Sequence, residues 1–165
     1  MPKANEVVVR RLIEEVFNRG RTVLLADLIA ADHVGHDPFG DHYGPEGLRI
    51  SAAEYRTAFP GLRVTIEDLV SEGNKVVYRF TLRGTHAGSF MGIPPTGREV
   101  TTSAIAIVHL AGGKVIESWV NLDALSLLRQ LGASPMVRQP VDIGRPDPIS
   151  PPPVVVSGRP PQQGD

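Results

Sequence analysis

The chain of 165 residues contains no cysteine, which excludes a disulfide framework, a thiolate nucleophile and any cysteine-ligated metal. Aromatic residues are only 5% of it, so a core built from the 41% apolar residues must be mostly aliphatic. Neither sign of charge dominates. Seventeen basic residues stand against eighteen acidic ones, scattered along the chain, and this leaves no basic footprint for nucleic acid. No apolar run reaches the roughly 18 residues that a membrane-spanning helix needs. The first residues pass directly into an amphipathic pattern with no signal-peptide stretch, so a cytoplasmic protein is expected.

Composition divides the chain near Ser134. Nine of the fifteen prolines lie from Pro135 onward, including Pro151-Pro152-Pro153 and Pro160-Pro161. Proline removes amide donors and fixes φ, so this stretch cannot continue a helix or a ladder. The folded unit is therefore expected over 1–133, followed by a Pro-rich extended tail over 134–165. Val154-Val155-Val156 offers at most a short edge strand.

In the first half, Val8, Leu12, Ile13, Val16 and Phe17 fall at helical spacing, and Gly20 stops the run. Leu24, Leu25, Leu28 and Ile29 make a second, short apolar face. Residues 32–44 are rich in Gly, Pro and Asp and read as a loop. Pro45 suits a first helical turn, and Leu48, Ala52, Tyr55 and Phe59 line the helix that follows, up to Pro60-Gly61.

The second half changes to period two. Val76, Tyr78, Phe80 and Leu82 alternate with Val77, Arg79, Thr81 and Arg83. A long strand over 99–110 and a return over 114–122 flank Gly112-Gly113, a strong hairpin signal. Helices first and an antiparallel meander after them give an α+β fold, with helices packed on one face of a curved sheet. If the hairpin is regular, Ala106 faces Trp119, Ala104 faces Asn121 and Thr102 faces Asp123. Glu117, Trp119, Asn121 and Asp123 then share a pocket wall with Thr102. Ile105, Ile107, Ile116 and Val120 lie on the other side as an aliphatic face needing a cover. A slip of one residue would exchange the two faces.

A carboxylate beside Trp119 would have its pKa raised by desolvation and would accept a proton near neutral pH. Asp123 also begins a helix and suits a cap, and the two roles are compatible.

Gly84-Thr85-His86, Gly92-Ile93-Pro94-Pro95-Thr96-Gly97-Arg98, Gly113 to Trp119, Asp123 and Gln130-Leu131-Gly132 together resemble the SnoaL-like polyketide cyclase (ester cyclase) family, as does His36-Asp37-Pro38. The likeness covers about residues 5–133, and His109 departs from it where many relatives show arginine. It implies a cone-shaped fold like those of ketosteroid isomerase and nuclear transport factor 2, with helices closing a curved sheet over a deep cavity. It further implies an aspartate acid/base at Asp123, acting without metal or organic cofactor. That group would remove an acidic carbon-bound proton from a small hydrophobic, polyketide-ester-like substrate, and an aldol-type ring closure would follow.

His36 is the expected assistant, donating to a substrate oxygen or to Asp123, although His36-Asp37-Pro38 also reads as turn chemistry. Trp119, Asn121, Thr102, Arg79, Tyr55, Phe59 and His86 complete the expected binding set. Arg79 could face the cavity or solvent, and His86 could instead anchor its loop. His33 and His42 read as surface residues, with no third ligand at zinc-binding spacing. Two other readings of the same cone stay open: a non-catalytic module holding a hydrophobic molecule, and an epoxide hydrolase. The latter needs an Asp-Arg-Asp set for which only Asp123 and Arg79 are candidates. The uncovered aliphatic face predicts a homodimer or homotetramer through the outer sheet.

Overall fold

The computed structural model describes residues 2–133; the expected Pro-rich tail lies outside the described residues. Helix α1 (Pro2–Arg11) continues into a wider π-helical stretch over Leu12–Asn18, which turns Leu12, Ile13 and Val16 onto one buried side. Gly20, at φ 71°, ends it in the left-handed conformation that glycine tolerates best. A 3-10 turn (Thr22–Leu24) leads into the short α2 (Leu25–Leu28).

Two strands follow where the sequence reads as a loop, β1 (Ile29–Asp37) and β2 (Gly40–Tyr43). Helix α3 (Gly44–Ala58) carries its proline in the first turn and buries Leu48 and Ala52. Strands β3 (Arg63–Glu72), β4 (Lys75–Thr85), β5 (Glu99–Ala111) and β6 (Lys114–Leu122) complete one six-stranded sheet, and α4 (Ala124–Gln130) closes the described chain. The strand order is β2-β1-β6-β5-β4-β3. Only β1 and β6 run parallel; the other neighbours are antiparallel.

The period-two stripe of β4 is observed. Val76, Tyr78 and Phe80 are buried, and beside them β5 buries Ala104, Ala106, Val108 and Leu110. Val9, Ile13, Val16, Leu25, Leu28 and Leu48 cover this inner face from the helices, which gives the aliphatic core expected from so few aromatics. The α+β architecture with helices over one face of a curved sheet is thus the observed one.

The hairpin departs from regular pairing at one residue. Ala111 faces Lys114 and Leu110 faces Val115, as a two-residue Gly112-Gly113 turn requires, but His109 faces Glu117. Both turn glycines have positive φ, 56° and 76°, as hairpin turns of the primed types demand. Ile116 is therefore an extra residue, a β-bulge that reverses the facing of everything beyond it. Ser118, Val120 and Leu122 oppose Val108, Ala106 and Ala104 on the inner face. Trp119 opposes Ile107 and Asn121 opposes Ile105 on the outer one.

Candidate functional site

An inner cavity of about 80 Å³ lies between the sheet and the helices. Its walls are largely apolar (Ile13, Phe17, Leu48, Phe80 and Val120 among them), and its polar groups belong to His33, Asp37, His42, Ser51, Tyr55, Tyr78 and Ser118. Outside it opens a vestibule of about 680 Å³, bordered by Phe39, Arg49, Glu54, Phe90 and Met91. Asp37, His42, Ser51 and Tyr55 border both spaces. They form the neck between the open vestibule and the largely apolar inner cavity.

The neck is a product of β1, β2 and α3. Along β1, His33, Gly35 and Asp37 point inward by strand alternation, and β1–β2 pairing sets His42 directly opposite Gly35. A side chain at 35 would displace the imidazole, because its Cβ would lie 1.8 Å from His42 Cε1. The imidazole thus rests on the backbone of β1. The His33 and His42 rings stack with centroids 5.6 Å apart and planes at 29°. His33 is 1% exposed, and its Nε2 lies 3.1 Å from Ser118 Oγ. Its Nδ1 and that of His42 are buried with no hydrogen-bond partner among the described residues.

Burial sets the electrostatics here. It pushes the Asp37 carboxyl above its ordinary pKa of 3.8, and nearby Glu54 adds to the rise. An amide hydrogen bond from Phe39 and the charge of His42 oppose that rise. Burial likewise pushes His42 below its ordinary value, against the pull of Asp37, and takes His33 down to about 4. Burial raises the Tyr55 phenol, so it remains a donor. The neck therefore holds a carboxylate that protonates more readily than usual, one imidazole held below its ordinary pKa and a phenol, and a second such imidazole, His33, lines the inner cavity. This set can take up, hold and return a proton next to an apolar chamber. Among the described residues, no group of three or more His, Asp or Glu side chains is arranged to hold a metal ion.

The structure separates the residues that the sequence brought together. Asp123 is exposed: its carboxylate accepts from the Ser126 amide at 2.9 Å and caps α4, and it borders neither cavity nor vestibule. Thr102 is buried beside it, but its hydroxyl donates to the Asp123 carbonyl at 3.1 Å. Trp119 and Asn121 lie on the outer face because the Ile116 bulge shifts β6 by one residue. His36 alternates outward along β1. Its Nδ1 meets Asp41 and its Nε2 meets Glu117, each at 3.1 Å, and its ring stacks on Trp119 at 5.3 Å. The hydrogen bonds to Glu117 and Asp41 raise its pKa. His109 approaches Trp119 edge-on, with ring centroids 4.9 Å apart. Arg79 is exposed on β4, opposite the buried stripe.

His86 is fully buried and anchors its loop. Its Nδ1 accepts from the Thr96 amide at 3.2 Å, and its ring packs on Phe59 at 5.4 Å. Phe59 and Thr102 border, with Tyr55, a recess of only about 10 Å³. Of the expected set, only Tyr55 reaches the neck. His33 and His42, expected on the surface, are instead inside, and Asp37 joins them. The signal was available in part, since His33, Gly35 and Asp37 have the spacing of one strand face.

Comparison with known proteins places this arrangement in context. The family model described as SnoaL-like polyketide cyclase matches residues 7–131. The aklanonic acid methyl ester cyclase DnrD of Streptomyces peucetius is 29% identical over 132 residues, spanning 76% of this chain and 88% of that protein. The aklanonic acid methyl ester cyclase AcmA of Streptomyces galilaeus is 31% identical over 127 residues, spanning 75% and 88%. Among solved structures, one described as a SnoaL-like polyketide cyclase from Jannaschia sp. CCS1 superposes with a TM-score of 0.75 at 27% identity, covering 81% of this chain and 95% of that one. TsrD from Streptomyces laurentii gives a TM-score of 0.73 at 29% identity, covering 80% and 97%.

Proposed function

Since the chain belongs to the SnoaL-like polyketide cyclase family, we propose that it is a cyclase-type enzyme using the Asp37 carboxylate as its acid/base at the cavity neck. The substrate class is a small hydrophobic keto ester of the polyketide kind, like the methyl esters named for its relatives. The apolar part enters past Phe39 and Phe90, whose ring centroids are 5.7 Å apart, and an activated C–H lies at the neck. Asp37 takes the carbon-bound proton. The carbanion attacks a carbonyl carbon within the same molecule, one C–C bond forms, and the alkoxide takes the proton back from Asp37. Mass is unchanged, and no external acid or base is consumed.

The observation that carries this reading is the meeting of Asp37, His42 and Tyr55 where an open vestibule joins an apolar chamber. Desolvation there raises the basicity of Asp37, the requirement for a proton acceptor working near neutral pH. The pull of His42 and of the Phe39 amide offsets only part of that rise, since the carboxyl still stands above its ordinary value. An oxygen that gains charge at the neck has the Tyr55 phenol close by as a neutral donor, the kind of arrangement that lowers the barrier to enolate formation.

The test is incubation with polyketide methyl esters that carry an acidic methylene and a ketone within reach of ring closure. The expected result is an isomer of identical mass with altered absorbance. An active enzyme whose Asp37→Asn variant turned over at the wild-type rate would remove the proposed base. A second reading, a module that only holds a hydrophobic molecule, is favoured by the largely apolar lining of the inner chamber. It predicts a ligand retained in native mass spectra and no isomerisation of any such ester.

A further inference from the structure

Resting on that reading of the neck, we propose that His33 donates its Nδ1–H to the substrate oxygen that becomes negative, and that Ser118 holds His33 in the tautomer this needs. Three features of the fold converge on the ring. It is 1% exposed, it borders the inner cavity, and it is clamped between the stacked His42 at 5.6 Å and Ser118 Oγ at 3.1 Å. Ser118 reaches it only because of the bulge at Ile116. In the regular hairpin, residue 118 would face outward with Ile107, whereas in the fold it faces Val108 on the inner side.

A neutral imidazole carries one proton, and the partner of one nitrogen decides which. A serine hydroxyl can donate to Nε2 or accept from it; with Ser118 donating, as proposed, the ring proton sits on Nδ1. That nitrogen has no partner among the described residues. A buried N–H left unsatisfied costs about 1–3 kcal/mol, a cost that an acceptor entering the cavity bordered by this ring would relieve. An enolate or alkoxide oxygen is such an acceptor. A donor that stays neutral suits the role, because it stabilises the oxyanion without adding a positive charge that would weaken Asp37 as a base. His33 is thus a catalytic residue by contact with the reacting oxygen, and Ser118 is a positioning residue.

The test reads the ring directly, on the full chain. In ¹⁵N-labelled protein at neutral pH, the side-chain nitrogen shifts of His33 are expected to report the Nδ1–H tautomer. Ser118→Ala is expected to move the population toward Nε2–H, and Ser118→Thr to restore Nδ1–H. With 4-nitrophenolate as a stable oxyanion probe, the His33 Nδ1–H signal is expected to shift. Its binding should weaken about tenfold or more in Ser118→Ala, the scale of one hydrogen bond to a charged group. On a turned-over ester, Ser118→Ala should lower kcat with KM nearly unchanged.

An Nε2–H tautomer in the wild type, or a phenolate complex that leaves the His33 nitrogens unmoved, would overturn the proposal. Both readouts are independent of Asp37. A fully active Asp37→Asn variant alongside an oxyanion-sensitive His33 would sink the base and leave the donor standing.

Discussion

Adding one methyl group to the floor of the neck tests its geometry most sharply. Gly35 lies beneath the His42 ring, and an alanine Cβ would lie 1.8, 2.3 and 2.6 Å from Cε1, Nδ1 and Nε2 of that ring. Ordinary contact begins at 3.4 Å, so the ring must withdraw by about 1.6 Å, the difference between 3.4 and 1.8. Gly35 does not have a positive φ, so backbone strain is absent and the loss is purely steric. Overpacking of this kind costs about 1–3 kcal/mol. The lower entropy of the unfolded alanine chain returns about 0.4–1 kcal/mol, leaving a net loss of at most about 2.6 kcal/mol. His42 stands beside the proposed base and stacks on His33, and a misplacement of about 1 Å around reacting groups can cost about a hundredfold in rate. Gly35→Ala is therefore expected to lower the melting temperature modestly and turnover severely. In a His42→Ala background the same substitution should be neutral or slightly stabilising, since the clash has gone. Thermal melts and steady-state rates of the four proteins complete the cycle. A Gly35→Ala protein with wild-type stability and rate would refute the placement of His42 over Gly35.

Asp123→Ala removes the α4 cap and should destabilise the fold by about 1 kcal/mol, seen as a lower urea midpoint, while folded protein keeps its turnover; loss of activity at full stability would return a chemical role to Asp123. His36 supports the outer face only as an imidazolium, since both nitrogens then donate to carboxylates. Its folded pKa is raised above 6.5 by Glu117 and Asp41, so its contribution is complete below about 6.5 and lost as pH rises through the higher folded value. Fluorescence of Trp119, the single tryptophan, reports that titration through the stacked ring, and His36→Gln should abolish it. On the same face Ile105 and Ile107 are 50% and 40% exposed. A second copy of the chain is expected to cover them, giving a dimer by light scattering that Ile107→Glu dissociates; a wild-type monomer at micromolar concentration would count against that cover.

The stripes of β4 and β5 were legible because each buries an apolar side and exposes a polar one, as with Val76, Tyr78 and Phe80 against Arg79. The Gly112-Gly113 turn was legible because its geometry demands glycine. Strand β1 was hidden for the opposite reason. Its inward residues include His33, Gly35 and Asp37, so the strand that supplies the site lacks apolar alternation and reads as a loop. The resulting error put His33 and His42 on the surface. The bulge at Ile116 left no local mark either, yet it exchanged the two faces of β6. It sent Trp119 and Asn121 outward and brought Ser118 in. The capping role of Asp123 could be read from its position before a leucine-rich helix; its distance from the cavity could not.

The central claim is that Asp37, at the neck of the cavity, moves the proton. Its direct measurement is solvent deuterium incorporation into an activated β-keto ester, followed by NMR across pH for wild type and Asp37→Asn. Exchange by the wild type should fall as the solution is acidified through a pKa above the ordinary 3.8 of aspartate, because the base must be deprotonated. The Asp37→Asn protein should exchange about 10²–10⁴-fold more slowly, the usual worth of a positioned general base. Equal exchange by both proteins, with one pH profile, would contradict the account.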